Sequence, residues 1–286
     1  MEIKRVGVVG CGFMGSGIVQ VAAQAGYEVV VSDISEEVLE KGLSSVEYFV
    51  SRGVEKGRIT KNEKEATISR IRGTTQIKDF TDSDLVIEVV PEDLELKKRV
   101  FAQLDEVCPP DTILATNTSC LPVIELAMAT KRPDKVVGLH FFVPVPLNRL
   151  LELVRTARTS DETLDVARKF GQSLGKEVIL AQDTPGFIFN YLLIPWQLNA
   201  IRLLERGAAS AEEIDKSMTL GLKYPIGPLG LADFNGLDVL YMISTAIHEE
   251  TKDPQFVPPI LLRRMVASGY LGRKTGRGFY NYAGPK

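Results

Sequence analysis

From Val6 to Asp33 the chain reads VGVVGCGFMGSGIVQVAAQAGYEVVVSD, and this stretch leaves few folds open. Residues 3–9 (IKRVGVV) are rich in β-branched side chains and run into Gly10-Cys11-Gly12-Phe13-Met14-Gly15. A helical run, SGIVQVAAQAGY, follows, with Gly26 placed where a helix C-terminus needs a left-handed residue. EVVVSD then gives a second buried-strand pattern ending in Asp33, so the segment reads as strand, turn, helix and parallel strand. A lone G-x-G-x-x-G is weak, because glycines are common in turns. Here the strand before it, the helix after it and an acidic residue roughly 20 positions on supply the full context of a dinucleotide site.

Each residue type has a physical reason. Gly10 permits the tight turn, Gly12 lets the backbone approach a pyrophosphate, and Gly15 lets helix and strand pack closely. The pyrophosphate would meet unpaired N–H groups and the positive end of the helix dipole. Asp33 would accept hydrogen bonds from the adenosine ribose and repel a 2′-phosphate, which favours NAD over NADP. Gly10, Cys11, Gly12, Phe13, Met14, Gly15 and Asp33 are therefore the expected cofactor-contacting set.

The remainder extends the pattern. Ser35 to about Arg70 is charged and helical, interrupted at VEKGRIT, and reads as a helical pair inserted between strands. DLVIEVV (84–90), TILATN (112–117), VVGLHFF (136–142), LLELV (150–154) and EVILA (177–181) are further strand candidates. ELKKRVFAQLDEV and TLDVARKFGQSLG are helices between them. After Asp183 the strands cease and helical runs follow: FIFNYLLIPWQLNAIRLLERG, SAEEIDKSMTLG, LGLADFNGLDVLYMISTAIHEE and PPILLRRMVASG. The expected fold is α/β: a Rossmann-type N-terminal domain (1–184) with the inserted helical pair, then an all-α C-terminal domain (185–286). At 286 residues the chain has room for both.

Lys and Arg total 34 against 37 Asp and Glu, a net charge of −3 that lacks the basic footprint of a nucleic-acid binder. Cys11, Cys108 and Cys120 have no metal-ligand or paired spacing and read as free thiols. No metal site is expected. No stretch approaches the roughly 20 apolar residues of a membrane span. The N-terminal apolar run is too short for a signal peptide, so the reading is cytoplasmic.

Oxidising an alcohol by hydride transfer needs a base, and histidine suits neutral pH. The chain has two. His248, in AIHEETKD near the polar end of a helix, reads as a solvated surface residue. His140 lies in the apolar strand VVGLHFF, where a histidine taken alone is more often a satisfied core residue than a base. Glu152 sharpens the choice. It sits inside LLELV, where an unpaired carboxylate is costly to bury, and the VPVPLN turn can bring it beside His140. Such a carboxylate would fix the ring tautomer and stabilise an imidazolium, although a structural His–Glu pair satisfies the same pattern.

With these residues in view, the chain resembles the short-chain L-3-hydroxyacyl-CoA dehydrogenases, especially their bacterial 3-hydroxybutyryl-CoA branch. The resemblance spans essentially the whole length. It is carried by the glycine-loop segment, IEVVPEDLELKK, ATNTSCLPV, KRPDKVVGLHFF, DTPGFIFN, GPLGLADFNGLD and the terminal LGRKTGRGFYNY. It implies that His140 is the general base and Glu152 its partner. It also implies that Ser119 binds the substrate oxygen near the nicotinamide ribose, and that Asn190 positions the reacting group. Glu92, Lys97 and Lys274 fall on positions that line the cofactor pocket, and Lys56 on one that contacts coenzyme A. The implied substrate is an (S)-3-hydroxyacyl-CoA, the cofactor NAD, and the assembly a homodimer formed through the C-terminal helices.

Read from the residues alone, Lys56 and Lys97 sit on charged faces where a lysine is ordinarily solvated. Ser119 suits a helix N-cap ahead of LPVIEL. Asn190 is unusual in an apolar helix, since a buried amide needs partners. Val143 replaces the asparagine of the family's HFFNP, Tyr191 a common arginine and Cys120 a second serine, and Asn148-Arg149 is unusual. A pocket retuned to another acyl group is the expectation these departures raise. A dehydrogenase of a free hydroxy acid, as in the gulonate dehydrogenase and lambda-crystallin branch, and a non-catalytic NAD-binding protein are the other readings.

Overall fold

The computed structural model describes residues 2–282. The chain divides into two compact units, Met1–Thr184 and Pro185–Lys286.

The first unit is built on one sheet of β1 (Arg5–Val9), β2 (Glu28–Ser32), β3 (Ile71–Thr74), β4 (Leu85–Glu88), β5 (Ile113–Thr116), β6 (Val136–Phe141), β7 (Leu150–Arg155) and β8 (Glu177–Gln182), in the spatial order 3-2-1-4-5-6-7-8. The first six strands are parallel. β7 returns antiparallel to β6, and β8 runs parallel to β7. Every residue of β4, β5 and β6 is buried, as are the last four of β1 and of β2. Such continuous apolar runs, rather than alternation, are what a parallel sheet covered on both faces demands. Each fully buried Val, Leu or Ile contributes about 1.5–3 kcal/mol relative to exposure.

The covering helices are α1 (Phe13–Gln24), α2 (Glu36–Glu55), α3 (Lys61–Ser69), α4 (Leu94–Val107), α5 (Val123–Ala127) and α6 (Asp161–Ser173). Side chains start most of them: Ser35 caps α2, Asp93 caps α4, Ser160 caps α6, and Thr60 with Glu63 forms a capping box on α3. α2 and α3 are the inserted pair, and the break between them falls in VEKGRIT. β3, which follows α3, is absent from the sequence reading. Its four residues IRGT carry little apolar periodicity, and it is a strand because β2 pairs with it, Val29 opposite Ile71.

Strand order reverses between β1 and β4, which opens a crevice at the carboxyl edge of the sheet. Gly10, at φ +105°, turns the chain there, and a Cβ on it would lie 2.7 Å from the Val89 carbonyl oxygen just after β4. His140, one residue before the end of β6, lies at the same carboxyl edge.

The second unit is helical: α7 (Phe189–Glu205), α8 (Ala211–Gly221), α9 (Pro228–Asn235), α10 (Leu237–Thr251) and α11 (Ile260–Ala267). The sequence suggests one helix across LGLADFNGLDVLYMISTAIHEE. The structure breaks it at Gly236, whose φ of +103° no helix accommodates. Asp233 closes this unit. Its carboxylate accepts hydrogen bonds from the backbone N–H groups of Phe279 and Tyr280 (2.9 Å each) and from the Tyr282 hydroxyl (3.0 Å). A Cβ at Gly278 would collide with that carboxylate. The sequence blocks GPLGLADFNGLD and GRGFYNY are thus two halves of one clasp.

Candidate active site

The glycine loop is assembled as close packing requires. A Cβ on Gly15 would sit 1.9 Å from the Gly10 carbonyl oxygen, so any side chain there forces α1 off β1. At Gly12, the N-cap of α1, a Cβ would meet nothing within 4 Å, and no side chain caps the helix. The first-turn N–H groups therefore have no side-chain cap, and Gly12 brings no side chain beside them. That suits a pyrophosphate. Asp33 follows β2. Its Oδ2 accepts from the Cys11 N–H at 2.6 Å and its Oδ1 from the Ile34 N–H at 2.7 Å. A carboxylate has about four lone-pair sites, so capacity remains for a ribose diol. The residues present fit NAD.

Within the loop, Phe13 is exposed, whereas Cys11 is buried. The Cys11 thiol lies against Gly42 of α2, where a Cβ would come 2.4 Å from the sulfur and 2.1 Å from the Cys11 carbonyl oxygen. Burial, helped by the Asp33 charge, pushes the thiol up to about 12. Its side chain is packing material.

His140 and Glu152 are direct cross-strand partners on β6 and β7. His140 Nδ1 is 2.7 Å from Glu152 Oε2, and both residues are buried, at 4% and 1% exposure. An ionised carboxylate only accepts, so Nδ1 carries the proton and Nε2 is the basic nitrogen. The ring packs against Phe142 at 4.3 Å between centroids. Beside it, the Asn117 side-chain oxygen accepts from the Phe141 N–H at 2.9 Å, fixing the end of β6 to the segment after β5.

A second buried cluster holds Ser119. Glu88, fully buried at the end of β4, accepts from Lys97 Nζ and the Val90 N–H, both at 2.7 Å, and from Thr116 Oγ1 at 2.8 Å. Lys97, 1% exposed, also donates to the Val90 carbonyl at 3.1 Å and lies 3.3 Å from Glu92 Oε2. Glu92 Oε1 in turn accepts from the Ser119 N–H at 2.9 Å and from the Thr118 hydroxyl. Burial pushes the Glu88 carboxyl above its usual range, and the Lys97 ammonium opposes that shift. Lys97 is therefore not a solvated lysine but the centre of a Glu88–Lys97–Glu92 chain that fixes the backbone at Ser119. Ser119 is not a helix cap, because α5 begins at Val123 behind Pro122.

Lys56, exposed at the C-cap of α2, lines a groove of about 510 Å³ with Arg52, Arg58 and the aromatic rings of Phe13, Tyr48 and Phe49. Residues 144–147 form its other wall. Val143, 41% exposed, precedes Pro144 in the chain and does not itself line the groove, while Cys120 is buried with its sulfur 3.7 Å from Glu92 Oε1.

In the helical unit Asn190 is buried in the first turn of α7. Lys274 forms an ion pair with Asp238 at 2.6 Å. The two lie on separate elements. Tyr191 packs its ring 5.2 Å from that of Phe256. His248 is half-buried with Nδ1 3.0 Å from the Asp253 carbonyl oxygen, so it is not the solvated residue its charged surroundings suggest. No group of three or more His, Cys, Asp or Glu among the described residues could hold a metal ion. No helix among them is long and apolar enough to cross a membrane.

Sequence reasoning misses Glu88, Asn117 and Thr118. For Glu88 the signal is present: a carboxylate inside the apolar strand LVIE is the same cue that singles out Glu152.

A glycine loop at the switch point of a parallel sheet, with a buried histidine–carboxylate pair at the same edge, defines a dinucleotide-dependent dehydrogenase. Residues 5–184 match the NAD-binding domain of 3-hydroxyacyl-CoA dehydrogenase, and residues 186–282 match its C-terminal domain. The chain belongs to the 3-hydroxyacyl-CoA dehydrogenase family and is an NAD-dependent oxidoreductase. It is 46% identical to a 3-hydroxybutyryl-CoA dehydrogenase of Mycobacterium tuberculosis over 98% of this chain and 99% of that one. It is 43% identical to the mitochondrial hydroxyacyl-coenzyme A dehydrogenase of Sus scrofa over 98% and 91%. The crystal structure of the (S)-3-hydroxybutyryl-CoA dehydrogenase from Ralstonia eutropha superposes with a TM-score of 0.95 at 42% identity, covering 99% of this chain and 100% of that one.

Proposed function

We propose that this protein interconverts short-chain (S)-3-hydroxyacyl-CoA and 3-ketoacyl-CoA, with His140 as the general acid–base. The observation that carries the reading is the 2.7 Å contact between His140 Nδ1 and Glu152 Oε2 in a buried setting. A carboxylate held against Nδ1 fixes the ring's tautomer and stabilises its protonated form, which is what a base at this position requires. In the oxidising direction Nε2 takes the 3-hydroxyl proton, and Glu152 steadies the resulting imidazolium. In the reducing direction the same nitrogen returns the proton to the 3-keto oxygen. NAD, when bound, supplies the acceptor for the hydride from C3. Ser119 contributes a hydroxyl to the substrate oxygen, and Glu92 and Lys97 hold its backbone in place. Asn190 contributes an amide to the reacting group.

The basic groove supports a CoA ester over a free acid: Lys56, Arg52 and Arg58 suit phosphates, and Tyr48 and Phe49 offer ring faces to an adenine. Gly10, Gly12, Phe13, Met14 and Gly15 hold the pyrophosphate, Asp33 the ribose, and Lys274 completes the cofactor site. The helical unit serves substrate binding and homodimer formation. Its exposed Ile188, Leu192, Leu220 and Leu222 support an interface. A cytoplasmic location completes the reading.

The test follows NADH oxidation with acetoacetyl-CoA, its longer homologues and free keto acids. Turnover of the thioesters alone supports the proposal. Turnover of free acids alone replaces it with a hydroxy-acid dehydrogenase. NAD binding without any turnover leaves a binding protein.

Two expected results arise here. Asp33→Asn removes the charge that repels a 2′-phosphate while keeping an acceptor for the Cys11 N–H. It should lower the NADH-to-NADPH ratio of kcat/KM about tenfold; an unchanged ratio would assign the discrimination elsewhere. Val143→Asn places an amide next to Pro144, the first residue of the groove wall. It should alter relative kcat/KM across acyl lengths by about tenfold, and an unaltered preference order would show that Val143 does not tune the pocket.

A further inference from the structure

Lys176 occupies the turn between α6 and β8 and is 7% exposed. Its ammonium donates to two backbone oxygens of the β6–β7 loop, those of Val145 (2.5 Å) and Asn148 (2.7 Å). No carboxylate among the described residues lies within 4 Å of it. A buried cation without a counter-ion is costly, and its two contacts to the loop offset that cost. Burial also pushes the ammonium below its usual range.

The loop it holds is the one that joins the two proton-transfer strands. The Leu147 and Asn148 N–H groups both donate to the Pro144 carbonyl at 2.9 Å, winding the loop into a turn. Asn148 Oδ1 accepts from the Leu150 N–H at 3.0 Å at the start of β7. From the other side α1 presses in: a Cβ on Gly17 would come 2.9 Å from Val145 Cβ. Pro144, Val145, Pro146 and Leu147 form one wall of the groove that Lys56 lines.

We propose that Lys176 is a positioning residue for substrate binding, its ammonium fixing the Val145–Asn148 turn so that the wall of the groove keeps its shape. The choice of a cation follows from geometry. The two carbonyls belong to different residues of one turn, and an ammonium directs its three N–H bonds at both from a single atom. A neutral amide reaches less far, and an apolar side chain would leave the buried Val145 oxygen and the part-buried Asn148 oxygen without this donor. The occupant of the groove rests on the acyl-CoA reading above; the role of Lys176 in the loop does not.

Lys176→Met tests this directly. The KM for acetoacetyl-CoA should rise about tenfold, with kcat and the KM for NADH within about threefold of wild type. Amide hydrogen exchange at Leu147 and Asn148 should quicken, because their shared acceptor sits in the released turn. Lys176→Arg, which keeps cationic donors, should recover part of both effects. A purely structural role predicts fewer active molecules, hence a lower kcat at an unchanged KM. That result, or unchanged exchange at Leu147 and Asn148, overturns the proposal. If Lys176→Met does not fold, Lys176→Gln carries the same comparison. If the wild-type protein turns over no acyl-CoA, the substrate reading fails, and amide exchange alone decides the role of Lys176.

Discussion

Replacing His140 by Gln is expected to lower kcat about a thousandfold while NADH affinity, read by fluorescence titration, stays within about threefold of wild type. Gln keeps an N–H that can reach toward Glu152, so the buried carboxylate need not lose its donor. What disappears is a basic nitrogen able to accept the substrate proton. The split between chemistry and binding is the diagnostic. A fall in kcat of less than roughly tenfold would place proton transfer on another group.

Lys97→Met should destabilise the protein by about 3–5 kcal/mol, because it leaves Glu88 buried without its counter-ion. The size should depend on pH, with a definite sign. Without Lys97, burial holds the Glu88 carboxyl further above its unfolded value, since the opposing ammonium is gone. A raised carboxyl contributes stability that is full below the unfolded value, about 4.3, and is lost as pH rises through the folded one. The deficit of the variant should therefore be greatest near neutrality and shrink in acid. Urea unfolding across pH reads this. The double variant Glu88→Met/Lys97→Met should recover much of the loss, since a pair of apolar side chains replaces the ion pair. A deficit that does not vary with pH would show that Lys97 acts through packing.

The same residues show what could be read from the sequence and why. The glycine loop was legible because each glycine answers a steric demand of the backbone, and those demands are local. His140 and Glu152 were legible because a carboxylate in an apolar strand calls for a partner, and a short turn limits where that partner can be. Glu88 offered the same cue without a neighbouring turn to name its partner, which arrives from the following helix. Lys97 and Lys98 are indistinguishable as residue types. Yet Lys97 shares the buried face of α4 with Val100, Phe101 and Leu104, the spacing of one helical stripe, so its position carried the signal that its charge obscured. Lys98 points outward to Glu95 and Glu125. β3 was illegible because a four-residue edge strand is decided by its neighbour's free edge. Lys176 was illegible because its partners are backbone carbonyls, which have no identity in a sequence.

The seating of α2 on the glycine loop bears on how such a chain can be altered. At Gly42 the obstacle to a side chain is the carbonyl oxygen of Cys11 as well as its sulfur, so trimming residue 11 does not make room for a larger residue at 42. The height at which the projecting helices dock is therefore written into main-chain atoms on both sides. A chimera that imports these helices from a relative inherits a correct fit only if the nucleotide loop travels with them. The two behave as one heritable piece, although more than thirty residues of chain separate Gly10 from Gly42.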